Sequence, residues 1–256
     1  MNALEVEHLT KSFGGVRATN DVSFSVPEGS LTALIGPNGA GKTTLFNLVT
    51  NLFPRDAGTI RYFGEDLGDR TPSEIARLGL LRTFQTARVF PGMTALENVM
   101  AGAHRKLRSP ALAQMLWLPG ARAEERRLAA RAEALLDLVG LAGFRDVAAT
   151  SLPMGAQKLI EVCRALLAGP RLLLLDEPAA GLNDTETSEL ARLLRAIRDG
   201  GITILIVEHN MSLVMDSASQ VVVLDLGACI ATGSPRQILD DLRVIEAYLG
   251  PAAEGT

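Results

Sequence analysis

Val22, Phe24 and Val26 alternate with Ser23 and Ser25. That period of two marks a strand with one buried face, and Pro27-Glu28-Gly29 supplies the turn that ends it. Residues 31–35 form a short buried strand leading into GPNGAGKTT, after which a helix is expected from about residue 42 to 50. Asp56-Ala57-Gly58 reads as a turn before a strand at 59–63. Thr71-Pro72-Ser73-Glu74 places a capping hydroxyl, a proline at the first helical position and a glutamate two further on, so a helix starts there. From about 86 to 168 strand signals vanish and Ala, Leu, Arg and Glu dominate. Within 121–138, Leu128, Leu135 and Leu138 recur at helical spacing, beside a solvated face of Glu124, Glu125, Arg126 and Arg127. After Gly169 the alternation returns. Residues 172–175 and 202–207 read as buried strands with a helix between them, and 221–226 with 229–232 as a hairpin around Gly227. Ser234-Pro235-Arg236-Gln237 repeats the capping pattern for a last helix ending near Leu249. The pattern is α/β, interrupted by a helical block, without internal repeats.

Composition bounds this picture without changing it. The chain has 256 residues, 47% hydrophobic and 21% charged, with a net charge of −4. It is long enough for a large core, and a nucleic-acid-coating protein would carry a basic excess instead. Cys163 and Cys229 lie in apolar runs, one helical and one strand-like, and are expected as buried thiols in a reducing compartment. The N-terminal MNALEVEHLTK lacks a basic stretch followed by an apolar one, so no signal peptide is expected. No apolar run reaches the roughly 18 residues needed to span a bilayer. The expectation is a soluble protein that serves a membrane process only by docking.

Two segments carry chemistry. GPNGAGKT, residues 36–43, matches G-x-x-x-x-G-K-[ST] between a predicted strand and a predicted helix, the context that confirms a phosphate-binding loop. Gly36, Asn38, Gly39 and Gly41 belong to that loop, whose backbone N–H groups converge on phosphate oxygens at a helix N-terminus. Lys42 is expected at the β- and γ-phosphates, Thr43 on Mg2+, and Thr44 at the α-phosphate. LLLLDEP, residues 172–178, puts Asp176 at the end of a second buried strand, where a carboxylate holds the Mg2+ shell. Glu177 beside it is placed to orient or deprotonate the attacking water.

These features resemble the ATP-binding-cassette (ABC) transporter ATPases, and the resemblance runs over nearly the whole chain. It implies an α/β P-loop NTPase of ABC type. The mixed-sheet nucleotide-binding core with its antiparallel β part would comprise 1–85 and 169–256, and the inserted helical subdomain 86–168. By the same resemblance Gln85 in RTFQ matches the Q-loop glutamine, which senses Mg2+ and the γ-phosphate and faces the transport partner. His209 in VEHN matches the switch histidine at the γ-phosphate. Phe13 in KSFGG matches the aromatic that stacks on adenine; its alternative is a core Phe of a strand pair. Asn183 stands where an aspartate is usual. LPMGAQK, residues 152–158, replaces the family's LSGGQ signature, keeping Gly155 and Gln157 as ATP contacts while Pro153 and Met154 depart from it.

RTFQTARVFPGMTALENV, DEPAAGLN, VEHNMSLVM and the terminal IEAYLG narrow the resemblance to the ATPase subunits of branched-chain amino-acid importers, as does a helical insertion at about 103–131. Trp117 within it suits either a membrane-facing helix or one packed on its own subdomain. The resemblance implies ATP and Mg2+ as cofactors, membrane permease subunits and a second cassette as partners, and an indirect link to an extracellular or periplasmic solute-binding protein. It implies a place on the cytoplasmic face of the plasma (inner) membrane. An export cassette of the lipopolysaccharide type and a non-transport ABC ATPase are the rival readings.

Overall fold

The computed structural model describes residues 1–83, 88–106 and 118–249. Gln85 and Trp117 therefore lie outside the described residues. In chain order come β1 (Asn2–Phe13), β2 (Val16–Pro27), β3 (Leu31–Ile35), α1 (Lys42–Val49), β4 (Ala57–Tyr62), β5 (Glu65–Asp66), α2 (Pro72–Leu78) and β6 (Leu80–Arg82). Next are α3 (Ala95–Met100), α4 (Pro119–Leu138) and α5 (Met154–Leu167). The chain continues through β7 (Leu172–Asp176), α6 (Asp184–Asp199), β8 (Thr203–Val207) and α7 (Met211–Ser217). It closes with β9 (Gln220–Asp225), β10 (Ala228–Gly233), α8 (Pro235–Leu239) and α9 (Leu242–Leu249). Two compact units result: Met1–Arg82 with Arg171–Thr256, and Thr83–Pro170.

The first unit holds two sheets. One is antiparallel, in the order β2-β1-β4-β5; the other runs β10-β9-β3-β8-β7-β6, parallel except for β10. β3, β7 and β8 are buried at every position, which is why their sequences are continuous apolar runs without a polar face. Leu45, Phe46, Leu48 and Val49 of α1 join residues of both sheets in one core. The Thr71–Glu74 cap forms as a reciprocal box, with α2 ending at the left-handed Gly79.

The second unit is helical. Thr94 and Glu97 cap α3 reciprocally, and a 3-10 turn at Ala101–Lys106 follows. Ala95, Val99, Ala132, Leu136, Ile160, Cys163 and Leu167 from α3, α4 and α5 share its core. Gly102 is required where the turn meets α5, since a Cβ there would stand 2.0 Å from Arg164 O. Buried Asn98 organises the preceding loop: its Oδ1 accepts the Phe90 N–H at 2.7 Å, and its Nδ2 donates to Thr94 O at 3.0 Å.

Three expectations are corrected. Leu138 is 54% exposed; the inward face of α4 is set by Ala132 and Leu136, with Leu128 and Leu135 at its margin. Cys229 is only partly buried, because β10 is the edge strand of its sheet. The last helix is two helices. Asp241 Oδ1 accepts the Arg243 N–H at 3.0 Å, the local bond by which aspartate starts a helix and interrupts one already running.

Candidate functional site

Leu34 of β3 and Asp176 of β7 both pair with Val207 of β8. The loops beginning at Gly36, Glu177 and Glu208 therefore leave the sheet side by side at the carboxyl ends of its parallel strands, where open α/β sheets bind ligands. The loop after β3 has room for glycine only at its tightest points. A Cβ on Gly36 would lie 2.0 Å from Leu224 O, and one on Gly41 2.2 Å from Ala18 O, both at positive φ. Gly227 N–H donates to Ala40 O at 3.2 Å while Gly227 O accepts the Asn20 N–H at 2.7 Å, so β2 and the β9–β10 turn wall the loop. Gly41 caps α1 without a side chain, leaving the first helical N–H groups to the loop's concavity.

Asn38 and Gly39 are exposed, as is Thr43 in the first turn of α1, and Thr44 is half-buried. Lys42 is 6% exposed. Its Nζ donates to Gly36 O at 2.7 Å and Pro37 O at 2.8 Å. Burial pulls its pKa below the ordinary lysine value, and the nearby carboxylates of Glu177 and Asp176 oppose that pull. The ammonium is thus held at the loop mouth by carbonyls and by the carboxylates at the end of β7.

Asp176 is 5% exposed and accepts from Arg82 Nη2 at 2.7 Å. Arg82 also donates to Asn47 Oδ1 at 2.6 Å and lies 5.3 Å from the Phe46 ring centre, so α1 positions the pair. Glu177 follows in the left-handed region, φ 48°, a conformation a non-glycine residue keeps only where its surroundings enforce it. Its Oε1 lies 2.9 Å from His209 Nε2. Lys42, Asp176, Glu177 and His209 are therefore gathered at one place.

Phe13 ends β1 and is 44% exposed, which removes the core reading. Phe53 meets it edge-on at 5.6 Å, and Asp56 anchors its approach by accepting from Lys11 Nζ and Ser12 N–H, both at 2.7 Å. Asn183 caps α6: its side chain accepts the Glu186 N–H at 3.0 Å, and Glu186 accepts the Asn183 N–H at 2.9 Å. Within the helical unit Pro153 is the residue before α5, φ −54°, with no side-chain cap. Gly155 is half-buried in the first turn. Gln157 Nε2 donates to Leu152 O at 2.8 Å, tying the turn back on itself.

The ABC transporter family model matches residues 19–180, which include the loop, Asp176 and Glu177. The chain belongs to the ABC transporter family. As a cassette ATPase it binds and hydrolyses ATP. A second model, the branched-chain amino acid ATP-binding cassette transporter, matches residues 228–250. Over 250 residues the cassette is 43% identical to the high-affinity branched-chain amino acid transport ATP-binding protein BraF of Pseudomonas aeruginosa, covering 97% of this chain and 98% of that one. The corresponding protein LivG of Escherichia coli is 39% identical over the same length, with the same coverage. A solved ATP-binding cassette in its ADP conformation superposes with a TM-score of 0.84 at 32% identity, covering 98% of this chain and all of that one. Among the described residues no helix is long and apolar enough to cross a membrane.

Sequence reasoning passed over Arg82 and Glu208. Arg82 stood in the quoted RTFQ, and only the strand register shows that it reaches Asp176. Glu208 had a visible signal: it is a carboxylate directly after the five buried positions of β8, much as Asp176 follows four apolar positions of β7.

Proposed function

We propose that this cassette is the ATP-hydrolysing subunit of an importer for branched-chain or other hydrophobic amino acids. Residues 1–85 and 169–256 act as the nucleotide-binding core, and 86–168 as the helical subdomain that carries the signature. The observation that carries the hydrolytic part is the 2.9 Å contact between Glu177 and His209 beside Lys42. The solute class rests on the similarity to BraF and LivG and on the match at residues 228–250.

Phe13, braced by Phe53, offers an exposed face for the adenine. Gly36, Asn38, Gly39 and Gly41 shape the loop for phosphate oxygens, Thr44 donates to the α-phosphate, and Lys42 exchanges carbonyl partners for the β- and γ-phosphates. Thr43 and Asp176, with Gln85 outside the described residues, are hard oxygen donors of the kind Mg2+ takes together with nucleotide phosphates. When bound, the ion supplies charge neutralisation at the transferring phosphoryl group. Glu177 accepts the proton of the attacking water, and His209, hydrogen-bonded to Glu177, contacts the γ-phosphate.

In the dimer each ATP lies between one loop and the partner's signature. Pro153 removes a hydroxyl and an N–H there, and a hydrogen bond to a charged group is worth about 1.5–3 kcal/mol. The uncapped start of α5 and the Gly155 N–H supply donors in its place, with Gln157 bracing the turn from within. The exposed Phe90 and Met93, on a loop fixed by Asn98, give permease subunits an apolar foothold on the cytoplasmic face of the plasma (inner) membrane. The solute-binding protein communicates only through those subunits.

The decisive variant is Glu177→Gln. It should bind ATP within about twofold of wild type and lose on the order of 10²-fold or more in kcat, as removal of a general base does. Turnover at the wild-type rate would remove Glu177 from the base role.

A further inference from the structure

Glu208 is 2% exposed, one residue beyond the end of β8 and directly before His209. A carboxylate in such a place needs donors for both its oxygens, or burial would be prohibitive. It finds three, all backbone N–H groups. Oε1 accepts from Ala179 at 2.8 Å, and Oε2 from His209 at 3.0 Å and Asn210 at 3.2 Å. Ala179 is two residues past Glu177, on the loop that follows β7. The single carboxylate thus joins the two loops that present Glu177 and His209, and it enters neither the nucleotide site nor any helix cap. Asn210 already caps α7.

The clip has something to hold. Glu177 sits at φ 48°, and its carboxylate meets His209 across the gap between the loops. The backbone bonds around it are short in reach: Glu177 N–H to Val207 O at 2.9 Å and Ala180 N–H to Glu177 O at 3.2 Å. Neither bond touches His209 or Asn210, whereas Glu208 takes backbone amides from both loops downstream of the strands. Burial pushes the Glu208 pKa up and the like charge of Glu177 adds to that, while the three amide donors pull it down. Burial is the larger effect, so on balance the pKa is raised.

We propose that Glu208 is a positioning residue for ATP hydrolysis, a buried carboxylate that sets the spacing between the Glu177 loop and the His209 loop. The proposal rests on the hydrolytic reading of Glu177 and His209. Near-isosteric Glu208→Gln tests it, because an amide presents only one acceptor and turns its NH2 against a backbone donor. Measured together are kcat, the Kd for ATP, and amide hydrogen exchange at Ala179, His209 and Asn210. The expected result is a kcat about tenfold lower or more, about 1.4 kcal/mol at the barrier, with Kd within twofold and faster exchange at those three amides. Glu208→Asp keeps the charge but lacks one methylene. It reaches one loop or the other, is expected between wild type and Gln in kcat, and carries the same test if the Gln variant does not fold. A kcat within twofold of wild type in both variants overturns the proposal. So does parallel loss of kcat and ATP binding with faster exchange throughout β7 and β8, which would make Glu208 a purely structural residue. A normal Glu208→Gln beside an inactive Glu177→Gln would sink this inference alone, whereas an active Glu177→Gln would sink the reading beneath it.

Discussion

Gly36 shows how little freedom a single position has here. Its missing Cβ would fall 2.0 Å from a backbone carbonyl of β9, and a backbone atom cannot swing aside as a flexible side chain can. Gly36→Ala should therefore shift the loop by displacing it from Leu224, and weaken ATP binding by about tenfold or more, since each 1.4 kcal/mol is a factor of ten. Titration with a fluorescent ATP analogue measures it, with Gly39→Ala as the milder control: it carries the strain of a positive φ (83°), but nothing lies within 4 Å of a Cβ added there. Equal affinities for the two variants would show that the contact with β9 is irrelevant to binding. Residue identities of this kind were legible in the sequence. The glycines, Lys42, Asp176 and Glu177 stood in two motifs of recognisable residue type and His209 was carried by the family resemblance, and the structure gathers Lys42, Asp176, Glu177 and His209 at one place. The second aromatic at Phe53 was not legible, because it comes to Phe13 from a different strand connection 40 positions along the chain.

At the scale of elements, the pairing of β6 with β7 brings Arg82 to Asp176. Both side chains are under a tenth exposed. Breaking such a pair by removing one partner costs about 3–5 kcal/mol, because the other charge stays desolvated. Arg82→Ala is expected to lower unfolding stability by that order in a urea titration, well beyond the 1 kcal/mol or less of a surface pair such as Arg61 with Glu7. A cost below about 1 kcal/mol would show that water reaches Asp176 after all. Periodicity alone recovered the buried strands and the caps at Thr71 and Ser234, where local residues settle local structure. It missed the break between α8 and α9, since Asp241 looks like any exposed helical residue until its side chain is seen on the Arg243 amide. It also grouped Leu138 with Leu128 and Leu135, because helical spacing names a face without saying which neighbours cover it.

For the molecule as a whole, buried acids that ionise late set a limit at high pH. Tyr62 is 3% exposed in the core shared by the two sheets, and burial pushes its pKa up to about 12. The unfolded chain releases this proton near pH 10. The stability that Tyr62 contributes is thus complete below about pH 10 and lost as pH rises through its folded value. Cys163, pushed up to about 12 by burial in the helical unit, acts in the same sense. Between pH 9 and 11.5 the tyrosine alone should remove about 2 kcal/mol, at about 1.4 kcal/mol per pH unit above its unfolded pKa. Tyr62→Phe should flatten the fall in urea midpoint by that amount; an unchanged slope would assign alkaline loss to other groups. The α/β class and the helical block in mid-chain were readable from the order of patterns along the chain; the insertion at about 103–131 falls in part outside the described residues. The strand order was not, because it is fixed by pairings such as β3 with β9 between residues almost 190 positions apart.

The walls of the nucleotide loop constrain how a chain of this kind can change over generations. Ala18, Leu224 and Gly227 meet the loop through backbone atoms, and Asn20 meets Gly227 in the same way, so the spacing of these positions is constrained whatever side chains they carry. A residue gained or lost within 17–20 or 224–227 would move a carbonyl or an amide by a full peptide length and open the wall. Insertions and deletions should accordingly be purged within these two stretches, even where the amino acids themselves look unremarkable.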